Sequence, residues 1–393
     1  MTATDNSTLN LTTIDFAAVT DTATLPQPIS PPIEQATYKA HNEDFIVNEI
    51  LEIDFTDEGE HLWLHIQKSG INTAYLAKLL SEWADIPLRD VGYSGLKDRH
   101  ALTTQWFSLR LPKKQKPTSD FAPIDIKDHE TIQILSEHWH NKKLNRGTHR
   151  ANQFIITLRE VMFANDSTLM DNQSLIEHHL ATISQTGVPN YFGPQRFGFG
   201  GNNIREALNL FARPLPDKTS PLSSSKKKSK RKGVPREQNS MELSAARSLI
   251  FNRILAARVA NGSWDSGVDG EVFNLDGSGS IFASEQIDET LQARVASGDI
   301  HPTAVMWGVA NDKVAGTAAD LENSIVQQDV LLAELAKGLE QRDVKSQRRA
   351  LRLPVEDLNG QWTQPQTLVL SFTLTTGSFA TSVLASLVQQ LKI

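Results

Sequence analysis

Residues 43–67 read EDFIVNEILEIDFTDEGEHLWLHIQ. Apolar and polar side chains alternate through EDFIVNEILEIDF (43–55) and again through EHLWLHIQ (60–67), the period of strands with one buried face. In the second run Leu62, Leu64 and Ile66 share that face. The polar Asp57-Glu58-Gly59-Glu60 between the runs predicts a hairpin. Further on, Asn72 suits the N-cap of a helix that turns Leu76, Leu79, Leu80 and Trp83 inward. A polar turn over residues 92–100 then leads into TQWFSLRL (104–111), another strand. TIQIL (131–135) and FIITLREV (154–161) read as further strands, and the stretch around Leu175–Ile183 as a helix. Strands and helices mix without a βαβ rhythm, which predicts an α+β fold.

The flanks are less regular. Residues 1–38 are rich in Thr, Ser, Asp and Pro with no apolar period, and are expected to be a disordered tail. Residues 212–240, ARPLPDKTSPLSSSKKKSKRKGVPREQNS, are expected to form a loop with a flexible basic linker over 221–240. Beyond it Ser244 reads as the N-cap of a helix through Asn261, with Gly262 at the C′ position. A helical block is predicted for Ala318–Lys337, a strand for 367–374, a turn at Gly377 and an apolar helix from Phe379 to Leu391. A chain of 393 residues with 39% apolar side chains is long enough for two or three domains.

Composition narrows the chemistry. With no cysteine, the chain excludes disulfides, thiolate metal sites and a cysteine nucleophile. No window approaches the ~18 apolar residues of a membrane span. Residues 1–38 hold four acids and no Lys or Arg, unlike a secretory signal, so a cytoplasmic protein is expected. The net charge of −7 argues against a polyanionic partner until its distribution is examined. Residues 89–116 and 142–159 each carry +5, residues 189–205 carry +2 and residues 218–236 carry +8, leaving −27 for everything else. Local positive charge of this kind suits nucleic acid, although solvated faces would have the same composition.

Common catalytic signatures are missing. There is no HExxH and no GxSxG; His61 and His65 share a strand face without a third ligand, and FGFGGNN lacks a following Walker lysine. Three basic loops remain. In Gly92–Phe107, Asp98 stands between Lys97 and Arg99, whose charges favour an ionised carboxylate fit to act as nucleophile or base. An aspartate that caps a turn would look the same. NRGTHRANQF (145–154) is a basic approach to a strand. GVPNYFGPQRFG (187–198) offers stacking faces, amides and Arg196 for an unstacked nucleobase, or simply a tightly packed turn.

GLKDRHALTTQWF (95–107), NRGTHRANQF, GVPNYFGPQRFG, the upstream NEDFIVNEI (42–50) and the terminal TGSFATSVL (376–384) closely resemble, in this order, the tRNA pseudouridine synthase D (TruD) family. The resemblance runs from Lys39 to the C-terminus. It implies a pseudouridine synthase catalytic domain over residues 39–213 and 356–393, with a mixed, largely antiparallel sheet in permuted strand order and flanking helices. A family-specific α/β domain is then inserted over residues 214–355. It implies isomerisation of a tRNA uridine, at position 13 in the D arm, to pseudouridine with base flipping. No cofactor and no metal are implied, the partner is tRNA rather than a membrane, and the protein is a monomer. By motif, the nucleophile falls on Asp98, and Lys39, Phe45, Asn190, Phe192 and Phe379 line the uridine pocket. Lys39 is expected to hold Asp98 ionised. Lys97, Arg99, Arg146, Arg150 and Arg196 are the candidates for RNA-backbone contact. A non-catalytic RNA-binding protein and a metal-dependent nuclease are the competing classes; the intact GLKDRHA and NYFG segments disfavour the first, and the lack of a carboxylate cluster near Asp98 disfavours the second.

Overall fold

The computed structural model describes residues 13–121, 130–163, 169–214, 236–309 and 313–392. The KKKSKRK run (226–232) and most of the expected basic linker lie outside the described residues. The chain divides into two compact units, Pro31–Gly187 with Pro354–Ile393, and Val188–Leu353 with the chain up to Ser30.

The first unit is built on a ten-stranded sheet. In chain order its first strands are β1 (Ile33–Thr37), β2 (Phe45–Ile50), β3 (His61–Ser69), β4 (Val91–Tyr93), β5 (Leu102–Arg110), β6 (Thr131–His140) and β7 (Ala151–Phe163). Glu356–Gln364, Thr367–Thr375 and Val388–Lys392 complete it. The main order is Glu356–Gln364, Thr367–Thr375, β7, β2, β5, β3, β6, largely antiparallel and far from sequence order. Two pairs are parallel, β2 with β5 and β1 with Val388–Lys392. The Thr73–Trp83 helix, capped by Asn72 Oδ1 on the Tyr75 amide, packs Leu76, Ala77 and Leu80 onto Leu62, Leu64, Ile66, Phe107 and Leu109 of the sheet. These side chains are buried, as the period-two and helical patterns require.

The expected hairpin between residues 43–55 and 60–67 does not form. β5 lies between β2 and β3, and the edges of β2 are taken by β5 and β7. The turn residues sit in a longer link over 51–60, where Asp57 and Gly59 take positive φ. Of the tail expected to be disordered through residue 38, the described residues 13–38 are ordered: Asp15 caps a Phe16–Val19 helical turn, and β1 pairs with β7 and Val388–Lys392. The apolar helix expected over Phe379–Leu391 is shorter, Ala380–Ala385, and its C-terminal part becomes the strand beside β1. An open edge on β1 decides between the two periods that this apolar run can satisfy.

The second unit carries a four-stranded sheet ordered Ile281–Ala283, Val272–Leu275, Ile300–Met306, Gln347–Ala350, with the helices Arg236–Ala260, Gly316–Gln328 and Val330–Gln341. Ser244 therefore lies inside a helix instead of capping it, and residues 236–240 of the expected linker are helical. The block expected over Ala318–Lys337 is two helices, because Asp329 breaks it and caps the second through the Leu331 and Leu332 amides. The division at Gly187/Val188, rather than near residue 214, follows from pairing of Val188–Pro189 with Arg352–Leu353. It also follows from Asn252, whose side chain bonds both the N–H and the C=O of Phe192.

Candidate active site

Lys39 and Asp98 are 59 residues apart in sequence, yet Lys39 Nζ lies 2.5 Å from Asp98 Oδ2. Strand direction explains the meeting. β2 and β5 run parallel, Ile46 opposite Leu102, so the segments that lead into both strands arrive at the same end of the sheet. β1 and β2 lie one after the other along the same side of β7, and Lys39 occupies the break between them. Its φ of 58° is left-handed, a conformation that costs a non-glycine residue about 1 kcal/mol or more. The ammonium lies 4.1 Å from the centroid of the Phe45 ring, so a carboxylate and an aromatic face hold it together.

The loop that carries Asp98 lies over a floor of polar residues facing inward from the sheet. By register, Glu49, Lys68, Thr103, Gln105 and Asn152 share one face with Val47, Ile66 and Phe154. Buried Lys68 donates to the carbonyls of Ile71 (2.8 Å) and of Asp98 itself (3.0 Å). Gln105 takes the Thr73 hydroxyl at 2.9 Å and donates to the Gly95 carbonyl at 3.2 Å, while Thr73 Oγ1 accepts the Lys97 amide. Lys97 turns down into this floor, 3.1 Å from Glu49 and 2.5 Å from Asn152 Oδ1, with both charged side chains almost fully buried. Ser94 accepts the His149 amide at 2.8 Å and bonds His149 Nδ1. Gly95, Lys97 and Asp98 are thus tied to the sheet or to the start of the Thr73–Trp83 helix, and Ser94 to His149.

Electrostatics follow from this placement. Burial works to raise the Asp98 pKa, but the Lys39 hydrogen bond and charge and the His100 amide outweigh it and hold the carboxyl below its ordinary value. Burial lowers Lys68 to about 8, against the opposing pull of Asp98. Burial and the Lys97 charge lower His149 to about 4, so this imidazole is neutral at neutral pH. Asp98 is thus the ionised, partly exposed carboxylate at the rim of a buried polar network.

The flanking cations expected to hold Asp98 ionised do something else. Lys97 pairs with Glu49, which also removes it from the RNA-backbone candidates, since its charge faces the interior. Arg99 donates to the Gly70 carbonyl at 2.7 Å and approaches Glu130 at 3.3 Å. Among the other basic candidates, Arg146 is exposed and stacks on Tyr93 at 3.9 Å, and Arg150 is exposed and paired with Glu52 and Glu356. Phe379 is partly buried at the N-cap of the Ala380–Ala385 helix, in a turn pinned to the basic loop by Thr376 Oγ1 on the His149 carbonyl at 2.6 Å.

In the second unit the VPNYFG segment (188–193) has its own setting. Asn190 is buried, with Nδ2 donating to the Ala350 carbonyl at 2.9 Å and Oδ1 accepting from Arg349 Nη2 at 2.5 Å. The Phe192 ring has the Arg349 guanidinium at 4.3 Å, that of Arg196 at 5.1 Å, and Phe251 edge-on at 5.6 Å. Arg196 donates to Ser244 Oγ. Sequence reasoning missed Glu49, Lys68 and Arg349. For two of them a signal was present, because Phe45–Val47–Glu49 and Leu64–Ile66–Lys68 each end an inward-facing row on a charge. Arg349 had none.

Two outcomes follow. Lys39→Met leaves the half-buried Asp98 without its opposing charge, so the acid limb of any Asp98-dependent rate moves to higher pH in a kcat/KM–pH profile. In the native protein the lowered Asp98 pKa adds stability above the unfolded carboxylate value of about 3.9 and loses it as pH falls through the folded value. The acid unfolding midpoint of Lys39→Met therefore rises as well. Lys97→Met strands Glu49 and lowers stability by about 3–5 kcal/mol in urea unfolding, whereas an RNA-facing lysine would leave stability unchanged.

A family model described as tRNA pseudouridine synthase D (TruD) matches residues 31–208 and 218–387. The tRNA pseudouridine synthase D of Psychrobacter arcticus is 68% identical over 391 residues, covering 96% of each chain. That of Xanthomonas axonopodis pv. citri is 42% identical over 366 residues, covering 93% of this chain and 95% of its own. Among solved structures, one assigned to tRNA pseudouridine synthase D of Methanosarcina mazei superposes with a TM-score of 0.64 at 21% identity, over 92% of this chain and 95% of that one, and so shares the fold. Family model and relatives agree across nearly the whole length: the chain belongs to the tRNA pseudouridine synthase D (TruD) family.

Proposed function

We propose that this chain isomerises a tRNA uridine, by resemblance the one at position 13 in the D arm, to pseudouridine, with Asp98 as the nucleophile. The observation that carries the reading is the Lys39–Asp98 contact, which holds a partly exposed carboxylate ionised on a loop braced from below. An ionised carboxylate adds to an electrophilic carbon of the nucleotide, ribose or base, without prior proton removal. The N1–C1′ bond breaks, uracil turns, C5 bonds to C1′, and the bond to Asp98 breaks, its electron pair returning to the carboxylate. The proton on C5 is then lost and N1 gains one, so the reaction is an isomerisation that consumes nothing.

Reaching the base requires flipping the nucleotide out of its stack. Phe192 and Phe379 supply stacking faces, Asn190 reads the polar edge, and Phe45 backs Lys39. Arg99, Arg146, Arg150 and Arg196 meet the RNA backbone; Arg146 and Arg150 are exposed, as such contacts need. The reading carries with it a cytoplasmic location and a monomeric enzyme. Among the described residues no helix is long and apolar enough to cross a membrane.

Asp98→Asn keeps the shape of the side chain and removes the nucleophile. It abolishes pseudouridine at the target, read as carbodiimide-dependent primer-extension stops on total tRNA from cells with and without the protein, and leaves tRNA affinity within about threefold. Substantial residual pseudouridine would remove Asp98 from the mechanism.

A further inference from the structure

Asn190 has one amide group and two fixed contacts. Its Nδ2 faces the Ala350 carbonyl at 2.9 Å and its Oδ1 faces the Arg349 guanidinium at 2.5 Å. Rotating the amide by half a turn would set the NH2 group against the guanidinium and the oxygen against a carbonyl, losing both bonds and placing like partners together. The backbone is held too, since the Asn190 N–H donates to the Leu351 carbonyl at 2.8 Å. Arg349 is itself fixed. Its guanidinium lies over Phe192 at 4.3 Å, and its Nε is buried with no hydrogen-bond partner among the described residues. No salt bridge of Arg349 to an acid is found among the described residues, so its strongest polar contact is the Asn190 oxygen. A charged donor held this way bonds an amide oxygen more strongly than a neutral one.

Among the described residues the two contacts use one hydrogen of Nδ2 and one lone pair of Oδ1, which leaves the amide one donor and one acceptor. Uracil presents N3–H flanked by carbonyl oxygens, which such a pair satisfies. Cytosine presents an N3 acceptor beside an amino donor, the reverse pattern, and only a rotated amide would match it. We propose that Arg349 is a specificity-determining residue: by locking the orientation of the Asn190 amide it makes the site read uracil and reject cytosine. The inference rests on the reading of Asn190 as a base contact. Arg349 touches Asn190 and Phe192, and so acts on the base through them as a positioning residue.

The test compares a tRNA transcript carrying uridine at the mapped target with the same transcript carrying cytidine there. Affinities are measured in the Asp98→Asn background, and kcat/KM for the uridine transcript in the active background. Arg349→Met lowers the uridine-over-cytidine affinity ratio about tenfold, the scale of one misdirected hydrogen bond, and lowers kcat/KM in parallel. Arg349→Lys, which keeps a charged donor, recovers much of both, and Arg349→Ala, which has none, stands in where Arg349→Met fails to melt like the native protein. Equal weakening for both transcripts, with the ratio kept, would mean that the guanidinium meets phosphate and would overturn the proposal. An unchanged ratio in Arg349→Met, or in Arg349→Ala where that stands in, alongside a collapsed ratio in Asn190→Asp, would show that Asn190 reads the base without Arg349. If Asn190→Asp also keeps the native ratio, the proposal falls with the reading of Asn190 itself, and the two failures are told apart.

Discussion

The parallel pairing of β2 with β5 is the constraint on which the arrangement around Asp98 depends. In a sheet that is otherwise largely antiparallel, this pair sends two entering segments to the same end of the sheet, and each brings one half of the Lys39–Asp98 contact. An antiparallel pairing would place the segments at opposite ends, separated by the strand length. Parallel neighbours cannot be joined by a tight turn, so β3 and the Thr73–Trp83 helix intervene between them in the chain. That helix returns the favour locally: its first residue, Thr73, holds both the Lys97 amide and Gln105.

A buried polar floor is an expensive way to support a loop. Taking Lys97 and Glu49 out of water costs several kcal/mol per ion, offset only where geometry and extra hydrogen bonds are good. Glu49 Oε1 accepts the Trp106 amide and Lys97 also reaches Asn152, so most of the pair's capacity is used. An apolar floor would be cheaper, but it would leave the loop's own amides and carbonyls without partners. Lys68 shows the exchange directly, since its three donors serve two loop carbonyls, one of them belonging to Asp98. Rigidity at Asp98 is what these buried charges supply, and a carboxylate proposed to attack one carbon in one geometry benefits from it.

What was legible in the sequence divides along the range of the interaction. The strand period of residues 43–67, the Asn72 cap and the inward row Leu62, Leu64, Ile66 are local, and the structure has them. Pairing partners are not local: β5 displaces the expected β2–β3 hairpin because its hydrogen bonds form across long stretches of chain that no periodicity records. The run after Phe379 was misread for a related reason, as a short apolar segment takes the conformation its neighbour offers, and β1 offers a strand edge. At the site, motif likeness led to Asp98 and Lys39, and the structure sets the two in contact. It could not assign Lys97, because in the loop a charge next to Asp98 in sequence turns away from it, toward Glu49 48 residues upstream.

Charge counting meets the same limit. The basic stretch 89–116 suggested a phosphate-facing surface, yet Lys97 beside Asp98 is buried against Glu49, while Arg99 donates to the Gly70 carbonyl and keeps its side chain partly exposed. In 142–159 the balance differs, since Arg146 and Arg150 are exposed while the neighbouring His149 is buried and neutral at neutral pH. Lys and Arg have the same formal charge in both settings, but a buried ion pair presents almost no field to solvent, whereas an exposed guanidinium does. The salt dependence of RNA binding reports only the second kind. A local excess of positive charge in a sequence therefore counts two quantities together: the cations that build a site and the cations that meet the polyanion. Only burial separates them.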